Sequence, residues 1–382
     1  MTHVAVRPPT NVDGRKLVFF GVHNIVICRD FTVPDRSGQG KEIWRHEVAE
    51  SVPPHRFIAN VVFTGGVVVA RYHRVIKGLD PANGSVLWTQ TMNRDGEHGI
   101  IIMVVNDPIV YVGAQNQVFA FSAMNGIVKW EYTFTGGPAV KLPTIVSCGS
   151  RVFLAGSREI VYLDANNGSV VWHGEFPHGS VRYPATGAWD GENRVMLGSQ
   201  GYLHTIDLRN GRMVDKINMK GTGYNNICLT YNKYQKAFYA MTSSELYAIS
   251  GGDRNVILWK CTLPSCTYSC MALEPETGRI YAVFYRSIGC IDISGKVVFI
   301  KKFEAPMYST MIYSVTLDLF GSGRIYITPG SYVLGFDSEG VLKETIKFDG
   351  QRQSQSFVCT PTSSTDPNCS ASQYNMLTSC ES

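Results

Sequence analysis

Leu79–Trp88 reads LDPANGSVLW, and Leu163–Trp172 reads LDANNGSVVW. Each stretch is an apolar strand end, an Asp, an Asn-Gly turn and a second apolar run that stops on Trp. Asn and Gly accept the positive φ that a tight hairpin turn requires. The residues before the turn alternate, as in Glu159-Ile160-Val161-Tyr162-Leu163. Two shorter strands, Thr144 to Cys148 and Arg151 to Ala155, lie upstream of the second copy. One unit therefore holds four short strands and leaves little room for helix.

The same pattern recurs along the chain. Phe121–Trp130 (FSAMNGIVKW), Ile206–Asp215 (IDLRNGRMVD) and Ile249–Trp259 (ISGGDRNVILW) are further copies. Ile291–Phe299 (IDISGKVVF) and Phe336–Glu344 (FDSEGVLKE) are degenerate ones, and an early copy ends SGQGKEIW at Trp44. The residues at the Trp position are thus Trp44, Trp88, Trp130, Trp172, Asp215, Trp259, Phe299 and Glu344, spaced 40 to 45 apart. A fixed period in the forties with four strands per unit predicts an all-β fold. The expected form is a single closed β-propeller of four-stranded antiparallel blades. Eight positions predict eight blades, with seven as the alternative.

These residues carry a family resemblance. The pattern aliphatic-Asp-x-x-Asn-Gly-x-x-x-Trp resembles the tryptophan-docking motif of pyrroloquinoline-quinone (PQQ)-type propellers. That group includes quinoprotein alcohol dehydrogenases and the propeller lipoprotein of the bacterial outer-membrane assembly machine. The resemblance spans roughly residues 15 to 350. It implies that Trp44, Trp88, Trp130, Trp172 and Trp259 dock one blade on the next. It is about architecture and does not imply bound quinone.

The spacing also bears on ring closure. An innermost strand is expected about ten residues after each Trp position. After Glu344 this reaches Gln353–Cys359 (QSQSFVC), which would return to complete the first blade. Thr2–Val6 is the alternative. The propeller is therefore assigned to 1–359, and the Ser-, Thr- and Asn-rich 360–382 to a flexible tail. Lys16–Cys28 reads as two strands around a turn at His23 and Asn24.

Composition narrows the function. The net charge is +4 with no basic run, so a nucleic-acid partner is not expected. No apolar stretch approaches a membrane span and no secretory leader is visible, which gives a cytoplasmic expectation. Ten cysteines without a leader do not predict a disulfide framework. Cys28, Cys148, Cys228 and Cys290 sit in apolar strands and read as core. Asn83-Gly-Ser and Asn167-Gly-Ser match the glycosylation pattern but lie in the hairpin turns.

Catalytic signatures are sparse. Quinoprotein dehydrogenases, by the resemblance, use adjacent cysteines, a Trp beneath the quinone and Glu, Asn and Asp ligands for calcium. The sequence has no adjacent cysteine pair, and its Trp residues other than Trp189 belong to the docking motif. No cofactor is expected; PQQ with calcium is the alternative. Cys261, Cys266 and Cys270 follow a C-x4-C-x3-C spacing that lacks a fourth zinc ligand nearby, so no metal is assigned. No nucleophile elbow, phosphate loop or zincin helix is present. The tail cysteines Cys359, Cys369 and Cys380 form no prenylation box.

What remains is a surface. The loops from an outermost strand to the next innermost strand fall nine to eleven residues after each Trp position. They carry His55 and Arg56, His98, Lys141, Arg182 and Tyr183, Tyr224 and Asn225, Tyr268, and Tyr308. In a propeller they converge on one face around the central channel, where function is usually grafted. Their cationic and aromatic character favours a protein or polar ligand with acidic groups. The expected function is a non-catalytic binding scaffold, monomeric. A small PQQ- and calcium-dependent oxidoreductase and a carbohydrate-binding propeller are the alternatives.

Overall fold

In the computed structural model the motif sits at the seam between blades, and the seams organise the molecule. The structure describes residues 14–22, 24–33, 40–48, 60–72, 74–92, 102–114, 116–135, 143–156, 158–176, 186–199, 201–219, 227–251, 254–264, 270–284, 286–303, 312–318, 323–329, 332–347 and 356–359. These form thirty-two strands, numbered in chain order, in eight four-stranded antiparallel sheets. The eight-bladed propeller is thus the architecture.

The innermost strands are β4 (Asn60–Thr64), β8 (Ile102–Asn106), β12 (Thr144–Cys148), β16 (Thr186–Trp189), β20 (Cys228–Asn232), β24 (Cys270–Glu274), β28 (Ile312–Asp318) and β32 (Ser356–Cys359). Each touches the innermost strand of the next blade, and β32 bridges β28 and β4. The ring closes through the C-terminus: β32 pairs antiparallel with β1 (Leu17–Val22), Phe20 opposite Val358. Blade one is therefore β3 (Lys41–Glu47), β2 (Ile25–Asp30), β1 and β32.

Position in the blade explains the sequence pattern. Every residue of β4 and β12 is buried, because an inner strand is covered by a blade on each side. The outermost strands β7 (Val86–Thr91), β11 (Val128–Thr133), β15 (Val170–Glu175), β19 (Met213–Asn218), β23 (Ile257–Thr262), β27 (Val297–Lys302) and β31 (Leu342–Lys347) face solvent along one edge. In all eight blades the pairing of the third and outermost strands shifts register just before the motif, as between Gly78 and Leu79. Such a bulge re-aims the residues beyond it.

Beyond the bulge comes the docking device. The indole Nε1–H of Trp44, Trp88, Trp130, Trp172 and Trp259 donates to the backbone carbonyl of Pro81, Ala123, Ala165, Leu208 and Ile293 in the following blade, at 2.6 to 2.9 Å. The ring lies on a glycine of that same turn. A Cβ on Gly168 would stand 2.6 Å from Trp130 Cγ, and one on Gly126 2.5 Å from Trp88 Cε3. The motif Asp shapes the turn, accepting backbone N–H groups on Oδ1, as Asp80 does from Ala82 and Asp207 from Arg209.

One expectation changes here. The Asn of Asn-Gly does not take a positive φ; among the described non-glycine residues only Lys236 and Arg286 do. The Asn side chain instead accepts the N–H two residues on, as Asn167 does from Ser169. The glycine alone is left-handed, φ +71° at Gly168. The turn is six residues long, so a two-residue hairpin geometry is not needed.

The seams without Trp show the same logic inverted. Asp215 takes the Trp place between the fifth and sixth blades, and there Asn255 stands where the other turns have glycine. The Asn255 N–H donates to Asp215 Oδ2 at 2.9 Å, and its side chain reaches Thr205 Oγ1 at 2.5 Å. A small acceptor leaves room for a side chain that an indole would exclude. Phe299 lies on Gly340, and buried Glu344 faces Arg29 of blade one at 3.9 Å. Cys28, Cys148, Cys228 and Cys290 are buried, as their strand contexts predict.

Candidate functional site

The strand directions divide the molecule into two ends. One end holds the motif turns and the hairpins between first and second strands. Those hairpins hook onto the next blade: Thr64 Oγ1 and the Gly65 N–H donate to Asp107, Asn106 Nδ2 to the Gly149 carbonyl, and Asn232 Nδ2 to the Pro275 carbonyl. This end is committed to holding the ring together.

The other end holds the hairpins between second and third strands and the blade-to-blade segments. His55, Arg56, His98, Lys141, Arg182, Tyr183, Tyr224 and Tyr308 fall in those segments, as do Asn225 and Tyr268. All lie outside the described residues. The described strand ends show that each outermost strand finishes, and the next innermost strand starts, at this end.

How the segments leave the blades is well defined, and the sequence reading missed it. The N–H of Val48, Met92, Phe134, Phe176, Met219, Leu263 and Phe303 donates to the carbonyl of Asn24, Arg74, Asn116, Arg158, Gly201, Ser244 and Arg286, respectively, at 2.7 to 3.0 Å. Each donor is apolar, buried, and four residues beyond the Trp position. Each acceptor is at the tip of the blade's own hairpin. Seven segments thus start from an apolar plug locked under a hairpin. The signal is Trp-x-x-x-apolar, repeated with the blade; one apolar residue after a strand is too ordinary to be noticed singly.

In the fourth blade a second latch is added. Thr135 follows the Phe134 plug of the third blade, and its N–H and Oγ1 both donate to buried Glu159 at 2.7 Å. His173 Nε2 stands 2.9 Å from the same carboxylate. Burial alone would raise the Glu159 pKa, but these hydrogen bonds prevail and hold it below the usual carboxylate range. The latch fixes the departure of the segment that carries Lys141. A group so depressed adds stability above its unfolded pKa of about 4.3, and that stability fades as pH falls through the folded value. The expected result is that Glu159→Gln lowers Tm at neutral pH, with the gap to wild type closing in acid. Thermal melts of both proteins from neutral pH downward check this.

The hairpin tips of the second, fourth and seventh blades carry Arg74, Arg158 and Arg286, and Arg286 holds a left-handed φ of +52°. Three carboxylates here are engaged within the fold. Glu47 accepts from Asn24 at 2.6 Å, Glu159 from Thr135, and Glu245 from Tyr247 and from Lys260 at 3.2 Å. Deeper in, buried Arg71 reaches the Gly113 carbonyl of the next blade at 3.4 Å, its pKa pushed down by burial to about 9. Among the described residues no three His, Cys, Asp or Glu side chains gather to hold a metal ion. Of the cysteine trio, Cys261 is half-buried in β23, while Cys266 and the Cys270 side chain lie outside the described residues. The described residues also include no helix long and apolar enough to cross a membrane.

The fold has solved counterparts. BamB from Moraxella catarrhalis superposes with a TM-score of 0.56 at 14% identity, covering 76% of this chain and 88% of that one. AztD from Citrobacter koseri, in its apo form, gives 0.61 at 12% identity, covering 90% and 97%. A second AztD structure from the same organism gives 0.61 at 11% identity. At such identities the likeness is one of fold. Compared with curated proteins, the sequence gives no significant match. The repeat itself is decisive: residues 72–265, just over half of the chain and the stretch with the best-formed motifs, match the PQQ_2 family, described as outer membrane protein assembly factor BamB, and the chain belongs to that family.

Proposed function

We propose that this chain is a non-catalytic scaffold that binds a protein or polar ligand at the end of the channel opposite the docking turns. The observation that carries the reading is the division of labour between the ends. The docking Trp residues, their carbonyl acceptors and the first-hairpin hooks occupy one end. The other end anchors its segments on rigid strands and arms its hairpin tips with arginine. Anchored loops on a stiff ring lose little conformational entropy on binding. The family description, an assembly factor, agrees with a role exercised on other proteins.

The proposed partner segment is acidic, because arginine tips and the segment residues Arg56, Lys141 and Arg182 favour carboxylates. No cofactor takes part. The test is a peptide array graded from basic to acidic, probed with wild type and with an Arg56→Glu/Lys141→Glu/Arg182→Glu variant. Wild-type signal is expected to rise with peptide acidity and to fall with salt. The variant should lose that gradient with an unchanged Tm. Equal binding by both proteins would reject this face.

A further inference from the structure

All four Asn-Gly pairs of the chain lie in docking turns, and each sits beneath an indole. Asn83-Gly84 meets Trp44, Asn125-Gly126 meets Trp88, Asn167-Gly168 meets Trp130, and Asn210-Gly211 meets Trp172. A Cβ on any of these glycines would stand 2.5 to 2.8 Å from the nearest ring atom. The asparagines themselves are exposed to water. Where the Trp is absent the pair is absent too. Asn255, opposite Asp215, is followed by Val256, and Gly340 beneath Phe299 follows Glu339.

Asn-Gly is a reactive sequence, because glycine has no Cβ to hinder approach to its nitrogen. That nitrogen can attack Cγ of the preceding side-chain amide. A new C–N bond closes a five-membered succinimide and the Cγ–Nδ2 bond breaks. Ammonia leaves, carrying the proton that the glycine nitrogen gives up. Water then opens the ring at either carbonyl, to aspartate or to isoaspartate, with no oxidant or reductant. In each docking turn both reacting groups are tied. The N–H of Gly84, Gly126, Gly168 and Gly211 donates to the carbonyl of Asp80, Ser122, Asp164 and Asp207 at 2.8 to 2.9 Å. The Asn Oδ1 accepts the N–H of Ser85, Ile127, Ser169 and Arg212 at 2.8 to 3.1 Å. While these bonds hold, the nitrogen cannot lose its proton and swing onto Cγ. The indole lies on the glycine, whose φ is +70° to +74°, and keeps that peptide in place.

We infer that Asn83, Asn125, Asn167 and Asn210 are deamidation sites which the docked Trp keeps dormant, so that a seam left open is altered covalently. Either product adds a negative charge to the turn. Isoaspartate also adds a methylene to its backbone, so the turn no longer matches the indole that docked on it. A local opening that would otherwise reverse thereby becomes permanent. The sites lie at the docking end, and the inference is independent of the binding face proposed above.

Peptide mapping by mass spectrometry of the full chain, held at mildly alkaline pH, reads each site separately against synthetic peptides of the four turns. In the folded protein all four should react at least about tenfold more slowly than in the peptides, a factor set by how seldom a seam opens. Trp130→Ala should accelerate Asn167, with Asn83, Asn125 and Asn210 keeping their wild-type rates. Trp130→Phe fills the seam but cannot donate to the Ala165 carbonyl, and should give a smaller acceleration at Asn167 alone. This second variant decides the matter if the alanine variant unfolds and all four sites react together. Trp259→Ala should create no new site in its own seam, since Gly295 follows Ser294. Equal rates in protein and peptides overturn the inference. So does a folded Trp130 variant in which Asn167 reacts no faster than in wild type, or in which all four sites gain alike.

Discussion

Trp130→Ala is expected to destabilise the propeller by about 3–5 kcal/mol, the range for removing a buried large aromatic side chain. Trp130 is only 7% exposed. It donates to the Ala165 carbonyl at 2.9 Å, packs against Tyr111 with ring centroids 5.6 Å apart, and covers Gly168. Alanine would leave a void at the seam and an unanswered carbonyl beside it. Urea denaturation should show a lower midpoint, with the slope kept if the transition remains two-state.

Gly168→Ala strikes the same seam from the other side. It imposes a Cβ 2.6 Å from Trp130 Cγ and asks alanine to hold φ +71°. The two changes should not add. With the indole gone, the clash is relieved and only the backbone cost of Gly168→Ala persists, so the double variant should be more stable than the sum implies. Additive effects would mean that ring and glycine do not share one site.

The second large effect concerns closure. A chain ending at Gln355 lacks β32, and with it the innermost strand of blade one and the contacts to β28 and β4. The ring then has an open seam where Leu17, Phe19 and Phe20 are otherwise buried. Net stability of a folded domain is only about 5–15 kcal/mol, so losing the innermost strand of a blade should abolish cooperative folding or drop Tm steeply. A chain ending at Thr360 should melt like the full protein. Calorimetry of the two truncations separates the outcomes, and equal Tm values would show that β32 does not close the ring.

Much of this was legible in the sequence because a propeller repeats its constraints. The Trp positions fixed the blade period, and the step from Glu344 located the closing strand near Cys359. Thr144–Cys148 and Arg151–Ala155 are strands with the expected bounds. Three features escaped for physical reasons. The left-handed residue is Gly168 and not Asn167, and both the φ of +71° and the close approach of the Trp130 indole demand glycine there. The plugs from Val48 to Phe303 are single apolar residues that gain meaning only from the carbonyl above them. Asn255 replaces the glycine of its motif, and only the Asp215 carboxylate that accepts its N–H explains why.

The candidate site was less legible. Arg56, Lys141 and Arg182 lie outside the repeated motif, so the blade period gives their side chains no assigned task. Arg74, Arg158 and Arg286 share a structural position but no motif, since their neighbours at that position are Asn24, Asn116, Gly201 and Ser244. Their backbone carbonyls do the common task, and the side chains are left to vary.

Hydrogen–deuterium exchange of the full chain, with and without an acidic peptide selected on the array, tests the central claim most directly. The account predicts added protection in the blade-to-blade segments 49–59, 136–142 and 177–185 and at the hairpin tips around Arg74 and Arg158, with the docking turns at 80–85 and 164–169 unchanged. Protection concentrated in those docking turns, or none at the channel end, would contradict it.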